Sequence, residues 1–167
     1  MDITEQILED HHRQRQAFAR MDDIARSDTE SLGLVWGQLA EFLEVHAAAE
    51  EQVFYPALLA VADPDAEETK DAIGDHNDIR DAIKAAADAK VGSDAWWEAV
   101  GKARTANTDH MGEEEDEGLP DFRRHASLEQ RDELGRKFDA AKNPQVAATL
   151  DQGDKDPEEY VAAQEPG

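Results

Sequence analysis

Residues 36–56 read WGQLAEFLEVHAAAEEQVFYP, and residues 96–120 read WWEAVGKARTANTDHMGEEEDEGLP. In the first stretch Trp36, Leu39, Leu43, His46, Glu50 and Val53 recur every three or four positions. In the second, Trp96, Val100, Ala103, Asn107, His110 and Glu114 do the same. That spacing is the helical repeat, so each stretch predicts a helix with an unbroken inner stripe. Both stripes carry a Glu four residues after a His and a Pro ten residues after it. Positions i and i+4 share a helix face, so His46 points with Glu50, and His110 with Glu114.

Two further helices complete a bundle. One runs from about Ile3 to Ala25, with Ile3, Ile7, His11, Gln14, Phe18 and Met21 inward. The other carries Ile73, His76, Ile79 and Ile83 on one side. Ser27 with Glu30 reads as a capping box, Asp63-Pro64 as an N-cap followed by Pro at the first helical position, and Ser93 as a cap after the break at Val91-Gly92. Gly118-Leu119-Pro120 predicts the end or a kink of the fourth helix. Ser127 and Gln130 predict a second capping box, opening a short fifth helix to Ala141. The expected fold is all-α: an up-down-up-down four-helix bundle with a short fifth helix, spanning residues 1–141. Residues 142–167 read as a peripheral or disordered acidic tail, in which Asn143-Pro144 and Asp156-Pro157 start short helical turns.

Composition agrees with one domain. The 167 residues are 40% apolar and only 6% aromatic, which suits closely packed helices. With no cysteine, disulfides, thiolate zinc sites and iron–sulfur clusters are excluded. A net charge of −23 repels phosphate backbones and excludes nucleic acid as a partner. The N-terminus lacks the basic flank and apolar core of a signal peptide, and no apolar run approaches the roughly 20 residues that cross a bilayer. A cytoplasmic protein without membrane contact, monomeric or weakly dimeric, is expected.

Buried carboxylates cost several kcal/mol unless they are paired or bind a metal. Two His-Glu pairs on inner stripes, with His11 and His76 facing them, predict a metal pair bridged by carboxylate. Imidazole with carboxylate suits iron, manganese or zinc, and iron best in the absence of thiolate. Four His and two Glu cannot fill two six-coordinate ions. The open positions are left for oxo, hydroxo or water, or for an incoming ligand. Ferritin-type bundles use a Glu-x-x-His step on each of two helices. Here Glu9 to His12 is the one such step, which tells against that arrangement.

The order Asp10-His11, then His46-xxx-Glu50-Glu51 with Phe54-Tyr55-Pro56, then Asp75-His76, then His110-xxx-Glu114-Glu115 with Leu119-Pro120, resembles the hemerythrin-like family, the HHE cation-binding domain. The resemblance covers roughly residues 3–140. It implies a bundle around a non-haem di-iron centre, two iron ions with an oxo or hydroxo bridge, held by His11, His46, Glu50, His76, His110 and Glu114. The activities it implies are reversible dioxygen binding, peroxidase- or catalase-like or nitric oxide chemistry, sensing of oxygen or iron, and iron storage or repair. The ligand is then a diatomic molecule or peroxide. Where the oxygen carriers have a second third-helix histidine, this chain has Arg80. Where they use the fifth position after the fourth-helix His, here Glu115, the carboxylate in phase is Glu114. The chain therefore resembles the variant branch with one His, a His-xxx-Glu, one His and a second His-xxx-Glu, which puts simple oxygen carriage in doubt.

His12 is out of phase with Ile7, Phe18 and Met21, and is expected to face outward, as is His125. Arg80 reads either as a donor to a bound anion or as a surface ion pair with a nearby Asp. Tyr55 reads either as a core aromatic or as a neighbour of the centre. Glu113 to Glu117 read as solvated face, with Glu114 the exception.

Overall fold

The computed structural model describes residues 1–64 and 66–164; residue 65 and the last three residues of the expected tail lie outside the described residues. The fold is all-helical. Four long helices, α1 (Ile3–Asp22), α2 (Thr29–Ala49), α4 (Glu67–Asp88) and α5 (Asp94–Glu113), form the bundle. Each of α2 and α5 passes through one wide π turn, Glu50–Phe54 and Glu114–Gly118, into a short continuation: α3 (Tyr55–Val61) and α6 (Leu119–His125). Pro56 and Pro120 lie in the first turn of these continuations. A proline has no N–H and crowds the carbonyl one turn back, and the helix absorbs both by widening. At Gly118-Leu119-Pro120, where an end or a kink is expected, the helix takes a wide turn and runs on behind it.

The joins follow capping chemistry, with corrections. Ser93 and Ser127 cap α5 and α7 (Leu128–Ala141), and Ser127 with Gln130 forms the expected box. The cap of α2 is Asp28, not Ser27: its carboxylate accepts from the Ser31 N–H at 3.1 Å and sets a negative charge on the helix N-terminus. α4 starts at Glu67, not at Pro64, which lies in the turn before it; Ala66 between them is in a left-handed conformation (φ 60°). Asp63 caps it from outside, accepting from the Thr69 N–H at 2.9 Å. α1 stops at Asp22, before the expected Ala25, where the chain tightens so that Asp23 and Ile24 donate three residues back.

The apolar core lies in two parts. One packs Phe18, Trp36, Leu43, Ile83 and Trp96 at one end of the bundle. The other packs Ile7, Phe54, Leu58, Ile73, Phe122 and Phe138 at the other, with α7 closing it. Beyond α7 come α8 (Pro144–Ala147) and α9 (Pro157–Gln164), the two short helices foreseen at Asn143-Pro144 and Asp156-Pro157. This segment is tied to the bundle: Lys142 Nζ lies 2.6 Å from Asp10 Oδ2, Lys155 Nζ lies 2.8 Å from Glu51 Oε2, and the Tyr160 hydroxyl donates to the Glu51 carbonyl. Among the described residues no helix is long and apolar enough to cross a membrane.

Candidate metal centre

Between the two apolar clusters lies a layer of buried polar side chains: His11, His46, Glu50, His76, His110 and Glu114, each at most 6% exposed. All six sequence candidates meet there. His11, His46 and Glu50 bring one donor atom each to within 4.8 Å of one another, and so do Glu50, His76 and His110. Glu50 belongs to both groups. Its Oε1 lies 2.8 Å from His46 Nε2, and its Oε2 lies 3.3 Å from His76 Nε2 and 3.8 Å from His110 Nε2. Glu114 Oε2 stands 3.2 Å from His11 Nε2.

Every imidazole is held from behind by a carboxylate at Nδ1. His11 meets Glu115 at 2.8 Å, His46 meets Asp10 at 3.2 Å, His76 meets Glu51 at 2.9 Å, and His110 meets Asp75 at 3.5 Å. A carboxylate at one ring nitrogen orients the ring and frees the other for a metal. All four supports come from a different helix or turn than the histidine they hold, and each is adjacent in sequence to another member of the layer. The paired spellings Asp-His and Glu-Glu were the available signal, but spacing along a single helix assigns no role across helices. Glu115 is thus one more residue of the acidic run with a task.

The remaining candidates are placed as follows. His12 is exposed, 2.9 Å from the Gln16 amide, and His125 is exposed against the Asp121 carbonyl. Tyr55 is buried, and its hydroxyl donates to Glu114 Oε1 at 3.1 Å. Arg80 is not in a surface pair with an Asp. It is buried, and its Nη2 donates to both oxygens of Glu51, the carboxylate behind His76, at 2.9 and 3.0 Å.

The electrostatics are those of a site that draws positive charge. Burial disfavours charged imidazole at His46, yet Glu50 and Asp10 hold its pKa up at about 9. Burial likewise opposes charge on His110, and Asp75, Glu50 and Glu114 hold it at about 10. Burial favours the neutral form of Glu50, but the surrounding imidazoles hold its carboxyl well below the usual range. Burial, then Glu114 and Glu50, push the Tyr55 phenol well above its usual range.

The inner atoms test whether a cation fits. His11 Nε2, His46 Nε2, both Glu50 oxygens and Glu114 Oε2 are buried and make no aligned hydrogen bond among the described residues. Polar atoms left so are costly. Imidazole nitrogens and carboxylate oxygens facing one space are the donor set of a hard-to-borderline divalent metal.

Fold and layer together define a helical-bundle metal-binding protein with imidazole and carboxylate donors. The chain belongs to the Hemerythrin HHE cation binding domain family, whose profile matches residues 2–135. No match was found among curated proteins or among solved structures.

Proposed function

We propose that the chain is a non-haem di-iron protein that binds or reduces a small oxidant: dioxygen, peroxide or nitric oxide. The observation that carries this reading is Glu50, whose two oxygens face two different histidine pairs while neither makes an aligned hydrogen bond. One ion would be held by His11, His46 and Glu50, with Glu114 beside them, and the other by Glu50, His76 and His110. When bound, iron supplies Lewis acidity and electrons to the ligand. The protein contributes fixed imidazoles, a buried layer that limits water, and the Tyr55 hydroxyl directed at Glu114.

Metal analysis after iron-replete expression should give about two iron atoms per chain, with absorption bands that respond to azide or peroxide. His46→Ala and Glu114→Ala should each lose iron and keep most helical content. Wild-type protein without iron would overturn the proposal.

A second reading is a sensor of iron or oxygen, favoured by the ties from the C-terminal segment to Asp10 and Glu51. It requires stability to climb with bound metal by mass action and the C-terminal segment to change its protection from proteolysis on loading. Unchanged cleavage rules it out.

A further inference from the structure

Three of the four carboxylates behind the histidines are neutralised from outside. Asp10 has Lys142 at 2.6 Å, Glu51 has Arg80 at 2.9 Å and Lys155 at 2.8 Å, and Glu115 has Arg15 at 2.9 Å. Asp75 is the exception. Its side chain is 28% exposed and, among the described residues, no Lys or Arg lies within ion-pair distance of it.

Asp75 also stands on the wall of a cavity of about 40 Å³, room for roughly one water-sized or ion-sized guest. The outer wall carries Glu68, Asp71, Asp75, Glu113 and Glu117, and among the described residues no Lys or Arg lines it. The inner end is formed by Tyr55, His110 and Glu114. Glu114 is buried, and among the described residues its Oε2 makes no aligned hydrogen bond; the buried Glu68 Oε2 makes none there either. The cavity thus joins exposed acids at the surface to donors of the metal layer. Walls of one sign concentrate counter-ions and raise their encounter rate.

Building on the di-iron reading, we propose that this cavity is the entry port through which a divalent cation reaches the centre, with Glu68, Asp71, Glu113 and Glu117 as its staging carboxylates. The other three carboxylates behind the histidines are already paired with Lys or Arg.

The test is the rate at which the metal-free full-length chain takes up ferrous iron under anaerobic conditions. Samples are quenched at timed intervals with a chelator that colours unbound ferrous iron. In the variant Asp71→Asn/Glu113→Gln/Glu117→Gln, three exposed side chains change and the layer is untouched. Uptake at low salt should slow roughly ten-fold or more and lose most of its salt dependence, while the final iron per chain stays at the wild-type value. The variant Asp81→Asn/Glu98→Gln/Asp109→Asn makes the same charge change in a separate groove between α4 and α5 and should load at the wild-type rate. Equal rates in wild type and the first variant, or equal slowing in both variants, would overturn the entry port. Wild-type protein that never retains iron would instead overturn the di-iron reading.

Discussion

Arg15 and Arg80 are counterparts across the bundle. Arg15 Nη1 donates to Glu115 Oε1 at 2.9 Å, and Arg80 Nη2 donates to Glu51 Oε1 at 2.9 Å. Each of those carboxylates receives Nδ1 of the histidine one turn before the arginine, His11 or His76. The layer thus carries the same relay of arginine, glutamate and histidine twice. They differ in burial: Arg80 is 1% exposed, whereas the Arg15 side chain is 45% exposed.

That difference predicts unequal costs. Arg80→Met should destabilise the metal-free protein by about 3 kcal/mol, the low end of the cost of breaking a buried pair, because it removes the donor that reaches both Glu51 oxygens while Lys155 stays. Arg15→Ala should cost under about 1 kcal/mol, as exposed pairs do. Denaturant midpoints measured at equal slope check both values, and equal losses would contradict the account.

The carboxylates behind the imidazoles should matter to metal retention. Glu51→Gln and Asp10→Asn should each weaken binding about 10–100-fold without abolishing it. Competition against a chelator of known affinity measures this. Affinity unchanged in both variants would mean that they do not orient the rings.

Stability of the metal-free protein should depend on pH through His46 and His110. Both are raised from 6.5 in the unfolded reference to about 9 and about 10 in the fold. Between those limits the folded state binds more protons than the unfolded state. The stabilisation is fully present below about pH 6.5 and is lost as pH rises through 9 to 10. Melting temperature should therefore fall from pH 6.5 to 10. Metal displaces the same protons, so affinity should rise over that range and loading should release acid. A melting temperature that rises with pH in the metal-free protein contradicts this.

Tyr55→Phe should cost the metal-free protein about 1–3 kcal/mol, since Glu114 Oε1 loses a buried donor. The final iron content should be unchanged, because the phenol meets the layer through Glu114 Oε1 and its loss removes no imidazole or carboxylate donor. Loss of iron in this variant would place the phenol among the ligands.

We further propose residues 1–141 as the folding unit. A chain ending at Ala141 should keep its helical circular dichroism and melt at lower temperature than the full chain. Truncation removes Lys142 from Asp10, and both Lys155 and the Tyr160 hydroxyl from Glu51. Failure of the shorter chain to fold would place the C-terminal segment inside the domain.

The four long helices were legible because burial imposes a three-to-four repeat, and the ligand candidates lie in that repeat with Leu43, Ile73 and Val100. His11 was separable from His12 for the same reason. Ser93 and Ser127 were legible because a cap is a local bond. What escaped was non-local. Asp10, Glu51, Asp75 and Glu115 act on histidines elsewhere in the fold, and no spacing within their own helices records that. The partner of Arg80 escaped because Glu51 comes from a different helix. Asp28 displaced Ser27 as a cap because both are competent and only the backbone path chooses between them. The C-terminal ties to Asp10 and Glu51 rest on single polar contacts, which leave no periodic trace.

The wide turns at Glu50–Phe54 and Glu114–Gly118 each hold one residue more than an α-helical turn needs, with Tyr55 donating to the Glu50 carbonyl and Leu119 to that of Glu114. An extra residue advances the helix by about 100°. Each turn therefore acts as a phase shifter: the stripe that faces the centre ahead of it and the stripe that faces Phe54 and Phe122 beyond it belong to different rotational settings of one rod. Deleting a single residue such as Gln52 would bring the two settings back into line. Either Glu51 would then leave His76, or α3 would turn Leu58 out of the core.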